Sequence, residues 1–231
     1  MLTFENLRIT MDDFTLTANW SVAAGARLAI IGPSGAGKST LLMAIAGFVP
    51  VAAGRITWVG QDIMALAPGD RPLSILFQDQ NLFPHLTVTQ NLGLGLSPRL
   101  ALTPQQQDQI AAALARVGLS GLGARKPGAL SGGQQGRVAL ARALLRSRPI
   151  LLLDEPFAAL GPALKAEMLD LVADVATAAG ATVLLVTHDP ADARRFADQT
   201  VLLADGTANP PVPTAALFEN PPAALSDYLG S

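Results

Sequence analysis

Gly32-Pro33-Ser34-Gly35-Ala36-Gly37-Lys38-Ser39 is the stretch on which the fold turns. It satisfies G-x-x-x-x-G-K-[ST] and sits between the apolar run Arg27-Leu28-Ala29-Ile30-Ile31, of strand length, and a helical pattern over Thr40–Phe48. Glycines in such a loop let successive backbone N–H groups curl around a phosphate, and the start of the helix adds a favourable field. Lys38 is placed to reach β- and γ-phosphates, and the Ser39 hydroxyl to help hold Mg²⁺. Gly32, Pro33, Ser34, Gly35, Ala36, Gly37, Lys38, Ser39 and Thr40 are therefore the expected nucleotide-contacting residues. Kinases, GTPases, helicases and transport ATPases all use such a loop, so it implies nucleotide binding without choosing the reaction.

Outward from the loop, short strand-like runs alternate with helical ones. Arg55–Val59 and Pro72–Phe77 read as strands. Ile150–Leu153 and Thr182–Val186 are continuous apolar runs, the pattern of strands covered on both faces. Gly161–Ala179 and Pro190–Ala197 read as intervening helices. This alternation predicts an α/β fold with a mainly parallel sheet. Between about Leu86 and Leu145 the pattern turns helical, with Ile110, Ala113, Leu114 and Val117 on one face of Gln105–Val117, which suggests an inserted lobe. The Pro-rich run Asn209–Ser231 yields no reading.

Composition narrows the classes. The 231 residues suit one large α/β domain or one domain with a smaller lobe, and half are hydrophobic, enough for a sizeable core. A net charge of -2 argues against a nucleic-acid partner, which calls for a basic face. The absence of cysteine excludes disulfides, a thiolate nucleophile and Cys-ligated metal. Mean hydropathy is +0.36, yet the uncharged stretch Ser39–Gly54 is interrupted by Gly47, Pro50 and Gly54 and is shorter than the roughly 20 residues of a membrane span. The N-terminus has neither a basic segment nor an apolar one, so no signal peptide is expected and the chain reads as soluble.

Leu130-Ser131-Gly132-Gly133-Gln134 precedes the helical Gln135–Ser147, and Ser131 is placed to cap that helix. Downstream, Asp154-Glu155 closes the apolar run Ile150–Leu153, where a carboxylate can reach Mg²⁺ directly or through water. Phosphate loop, L-S-G-G-Q and strand-end Asp-Glu together resemble the ABC ATPase family, and the likeness covers nearly the whole chain. It implies a P-loop hydrolase fold with an N-terminal antiparallel β region and an inserted helical subdomain. The implied layout is a single domain over 1–231, with a core of about 1–85 and 148–231 and a helical part of about 86–147. The resemblance also implies ATP and Mg²⁺ as ligands, with Ser39, Asp154 and Gln78 at the metal. It assigns catalysis to Lys38, to Glu155 acting on the lytic water, to Gln78, and to His188 at the γ-phosphate. The other histidine, His85, matches no role and reads as a surface or docking-loop residue.

The partners implied are a second copy head-to-tail, so that Ser131, Gly132, Gly133 and Gln134 of one copy face the nucleotide of the other, and membrane permease subunits. A periplasmic solute-binding protein would act indirectly, and the chain would lie peripherally on the cytoplasmic face of the inner membrane. Within the family, Arg71–Gln78, Asn81–Phe83, His85–Val88 and Gln90–Leu96 resemble the bacterial thiamine importer ATPases, with Gln78–Leu96 as the permease-docking region. Several positions depart from the family pattern. Gly161 ends Ala158-Ala159-Leu160-Gly161 where an aspartate is usual, and Gln135-Gly136 follows the signature in place of Arg-Gln. Met11 stands where an adenine-stacking aromatic is usual, with Phe14 the nearest aromatic on that loop. Rival readings are an ATPase of another importer, of an exporter or of lipoprotein release; a non-transport family member of DNA repair or translation; and a module that no longer hydrolyses.

Overall fold

A computed structural model of the chain describes residues 1–12, 14–79 and 81–229. Its elements run, in chain order, β1 (Leu2–Met11), β2 (Phe14–Val22), β3 (Arg27–Ile31), α1 (Lys38–Ala46), β4 (Ala53–Trp58), β5 (Gln61–Asp62) and β6 (Leu73–Leu76). Three helices follow: α2 (Val88–Gly93), α3 (Pro104–Arg116) and α4 (Gly132–Leu145). Then come β7 (Ile150–Asp154), α5 (Pro162–Ala179), β8 (Thr182–Val186), α6 (Pro190–Phe196), β9 (Gln199–Ala204), β10 (Thr207–Ala208), β11 (Val212–Pro213), α7 (Thr214–Glu219) and α8 (Ala223–Leu229).

The apolar runs form the parallel half of the sheet, in the order β9-β3-β8-β7-β6. Consecutive side chains leave a strand on opposite faces. Leu28, Ile30, Leu152, Leu184 and Val186 accordingly join one core cluster, and Ala29, Ile31, Leu151, Leu153, Val183 and Leu185 another. Being buried on both sides is what gives β3, β7 and β8 their continuous apolar runs. The first cluster is closed by α1 and by the antiparallel half, β5-β4-β1-β2, which joins the parallel half through β10 and β9. The second is closed by α4, α5, α6, α7 and α8. A third cluster, including Val88, Leu92, Ile110, Leu114, Val138 and Ala141, packs α2, α3 and α4 together.

The long β1 was not read from the sequence, and its geometry gives the reason. Leu2, Phe4, Leu7 and Ile9 are all buried, but their spacing breaks strict alternation between Phe4 and Leu7. A register shift there, with Asn6 at φ 47°, restores the inward face. Phe4 pairs with Trp20 across the strands at a ring distance of 4.3 Å, and Trp20 Nε1 donates to the Ala208 carbonyl at 2.9 Å.

Each helix of the lobe opens on the same device. Thr87 with Gln90, Thr103 with Gln106, and Ser131 with Gln134 form reciprocal caps, a hydroxyl accepting from the third backbone N–H while the glutamine accepts from the cap's N–H. Gly136 is buried within α4, which runs through it unbroken, and Gln135 Nε2 donates to the Pro127 and Leu130 carbonyls of the preceding turn. Boundaries otherwise shift by up to three residues: α4 starts at Gly132 where Gln135 was expected, and α1 runs from Lys38 to Ala46 where Thr40–Phe48 was expected. The unread tail folds into β11, α7 and α8. Phe14 lies at the start of β2 rather than on a loop, its ring beneath the phosphate loop.

Candidate functional site

The phosphate loop leaves β3 through Gly32, whose φ of 153° is paired with a close backbone approach: a Cβ there would lie 2.0 Å from the Leu203 carbonyl oxygen on β9. Gly37 caps α1 at φ 100°, and a Cβ on it would meet the Phe14 ring at 2.6 Å. Only glycine satisfies both positions. At the far end of α1, the buried Arg71 donates Nη1 to the Ala44 and Ile45 carbonyls at 2.8 and 2.7 Å, closing the C-terminus of the helix that carries the loop.

Lys38 Nζ donates to the Gly32 and Pro33 carbonyls, each at 2.8 Å, which leaves one of its three N–H groups for a phosphate oxygen. Burial lowers the Lys38 pKa, while the charges of Glu155 and Asp154 oppose that shift. Ser39 Oγ donates to Asp154 Oδ1 at 2.9 Å, so the first turn of α1 and the end of β7 meet here. Burial also pushes the Asp154 carboxyl above its usual value, against the Ser39 hydrogen bond. A buried anion of this kind is stabilised by a cation. A hydroxyl and a carboxylate are hard oxygen donors, and with only these two from the chain a Mg²⁺ ion would complete its shell from phosphate and water. Among the described residues no cluster of three acidic or histidine ligands competes for it.

Because the folded chain holds the Asp154 proton more tightly than the unfolded chain does, stability falls as pH rises from 3.8 through the raised folded value. Asp154→Asn removes that loss while keeping an acceptor for Ser39. It is expected to raise the Tm of the Mg²⁺-free protein near neutral pH, the gain vanishing in acid, and to abolish Mg²⁺-dependent turnover. Thermal melts at the two pH values and an ATPase assay check both halves.

The loop and α1 face Glu155 and His188 across a cavity of about 740 Å³, lined by Ser34, Gly35, Gly37, Lys38, Ser39, Thr40, Glu155, His188, Pro190 and Tyr228. Glu155 follows β7 with φ 45°, an uncommon conformation for a side chain of its size, held by its N–H donating to the Val186 carbonyl at 3.1 Å. That turn brings Glu155 Oε2 to 2.8 Å from His188 Nδ1. Behind them Lys165 Nζ bridges Asp189 and Asp192 at 2.7 and 2.8 Å, and Thr187 Oγ1 donates to Asp192 Oδ2 at 2.6 Å. Burial alone would lower the Lys165 pKa, but its hydrogen bonds to Asp189 and Asp192 more than offset this and leave it raised.

Not every expected residue gathers here. Gln78 is exposed just beyond β6 and does not line the cavity. Ser131, Gly132, Gly133 and Gln134 open α4 elsewhere, with Gly133 tight against Leu164 of α5. Met11 ends β1, 44% exposed and outside the lining. A Cβ on Gly161 would meet nothing, so sterics do not explain the glycine there. His85 is exposed beside Phe83. Asn91, fully buried, bonds to Phe83, Leu86 and Thr87 main-chain groups and so fixes the loop that carries His85. Tyr228, the one tyrosine, was missed because it falls in the unread tail, and nothing in its neighbours' spacing marks it.

A glycine-rich loop between a parallel strand and a helix, with Asp-Glu at the end of β7, separated from β3 by β8, defines a P-loop nucleotide hydrolase. The sequence profile described as ABC transporter matches residues 16–158, and the chain belongs to that family. It is 67% identical over 230 residues to the Thiamine import ATP-binding protein ThiQ of Cereibacter sphaeroides, covering 100% of both chains. To the protein of the same name from a Ruegeria species it is 59% identical over 231 residues, again covering 100% of both. Among solved structures, the dimeric bacterial ABC transporter cassette MJ0796 superimposes with a TM-score of 0.79 at 30% identity, over 93% of this chain and 99% of that one. The same cassette in a post-hydrolysis state bound to ADP and Pi gives 0.77. No helix among the described residues is long and apolar enough to cross a membrane.

Proposed function

We propose that this chain hydrolyses ATP to power thiamine uptake through separate membrane subunits. The observation that carries the hydrolytic reading is the single cavity that joins Lys38 and Ser39 to the Glu155–His188 pair. The full-length likeness to proteins named for thiamine import supports the cargo.

In this reading backbone N–H groups of Gly32–Thr40 cradle the phosphates, and Lys38 binds the β- and γ-phosphates. Ser39 and Asp154 would hold Mg²⁺, which neutralises charge on the phosphates when bound. Gln78 joins them only through a movement of its loop. Glu155 accepts a proton from water as the water oxygen bonds to the γ-phosphorus. The bond to the bridging oxygen breaks and its electron pair leaves with ADP. His188 holds Glu155 through Nδ1 and offers Nε2 to a γ-phosphate oxygen.

Ser131–Gln134 lies outside its own chain's cavity, which supports a head-to-tail pair in which each signature completes the other copy's site. The loop fixed by Asn91, within Gln78–Leu96, is the surface offered to a membrane permease. A periplasmic solute-binding protein would hand over the cargo, with this chain held peripherally at the cytoplasmic face of the inner membrane. Uptake of labelled thiamine by a strain deleted for this chain tests the cargo. Uptake should be lost and restored by the intact chain; undiminished uptake in the deletion strain overturns that part.

A further inference from the structure

Helix α8 is anchored in the second core cluster and reaches the cavity through Tyr228. Leu225, with no exposed surface, is buried in the second core cluster, and Ala224 and Tyr228 pack against the same cluster. Residues three apart share a helix face, so anchoring Leu225 delivers Tyr228 to a set place one turn later. There the ring lines the cavity and Oη donates to the His188 carbonyl oxygen. Among the described residues no other hydrogen bond holds the His188 main chain. Its neighbours have ties of their own, Thr187 to Asp192 and Asp189 to Lys165. Without Tyr228 the loop between β8 and α6 is clamped on either side of His188 but not at it.

We infer that Tyr228 is a positioning residue: its hydroxyl fixes the His188 main chain so that Nδ1 meets Glu155 and Nε2 is directed at the γ-phosphate. The inference rests on the role given to His188 above. Burial, then the charges of Glu155 and Asp189, raise the phenol pKa, so the hydroxyl keeps the proton it donates.

The test is steady-state ATP turnover of the full chain with Mg²⁺ across an ATP series, for wild type, Tyr228→Phe, His188→Ala and the double variant. Losing one hydrogen bond that acts in the transition state should lower kcat of Tyr228→Phe about fivefold, with KM within about twofold. Its Tm should stay near wild type, since the ring is kept. In the His188→Ala background, Tyr228→Phe should cause no further loss, a result that a merely structural role would not produce. Wild-type kcat in Tyr228→Phe, a raised KM at unchanged kcat, or an additive loss in the double variant each overturns the inference. Wild-type turnover in His188→Ala overturns the role of His188 and the inference with it. Lost turnover in His188→Ala beside normal turnover in Tyr228→Phe overturns the inference alone.

Discussion

Glu155→Gln is expected to lower ATP turnover by about 10²–10⁴-fold while ATP still binds. The substitution is nearly isosteric. It keeps an oxygen for the 2.8 Å contact with His188 and the N–H bond to Val186, so the shape of the turn at φ 45° survives. What disappears is, among the described residues, the one carboxylate lining the cavity, the group able to take a proton from water. Its neighbour Asp154 does not line the cavity and accepts from Ser39 through Oδ1. Single-turnover hydrolysis and equilibrium nucleotide binding measured on the same preparation separate chemistry from affinity. Turnover within twofold of wild type would remove Glu155 from the reaction.

The second large effect is expected at Gly32, and it is structural before it is chemical. Gly32→Ala drives a methyl carbon to within 2.0 Å of the Leu203 carbonyl oxygen, in a conformation disfavoured for any residue with a Cβ. Neither partner can yield cheaply. Leu203 belongs to β9, which pairs with β3 on one side and β10 on the other. A loss of more than about 4 kcal/mol is expected, in the range of the most damaging single substitutions. At about 2–4 °C per kcal/mol for a chain of this size, Tm falls by roughly 10 °C, and nucleotide affinity is lost with the loop. Gly35→Ala is the control: Gly35 also has positive φ but open space at Cβ, so it should cost far less. Equal melting temperatures for Gly32→Ala and wild type would refute the argument.

Much of this was legible because the phosphate loop, L-S-G-G-Q and Asp-Glu are local patterns set by chemistry, each with its strand or helix beside it. Of the parallel strands, β3, β7 and β8 were legible for a different reason: burial on two faces gives them continuous apolar runs, as in Leu151-Leu152-Leu153, whereas β9 was not read. The antiparallel strand β1 was not, because the irregularity at Asn6 shifts the period by one and hides Leu2, Phe4, Leu7 and Ile9 as a single face. The contact between Tyr228 and His188 spans 40 residues of sequence and depends on how α8 docks, which no local pattern encodes. Gln78 was placed by resemblance, and its exposed position beyond β6 reflects a loop whose conformation the local sequence does not determine.

The double-sided burial of β3, β7 and β8 gives this chain a property that matters for reading any mutational scan of it. Leu152 and Leu153 are adjacent in sequence, yet one faces the helix that bears the phosphate loop and the other the layer that bears the C-terminal helices. The sheet is a partition, and odd and even positions belong to different rooms. Truncations at neighbouring positions therefore report on different halves of the molecule: Leu152 on the footing of Lys38 and Ser39, Leu153 on that of the helices around His188.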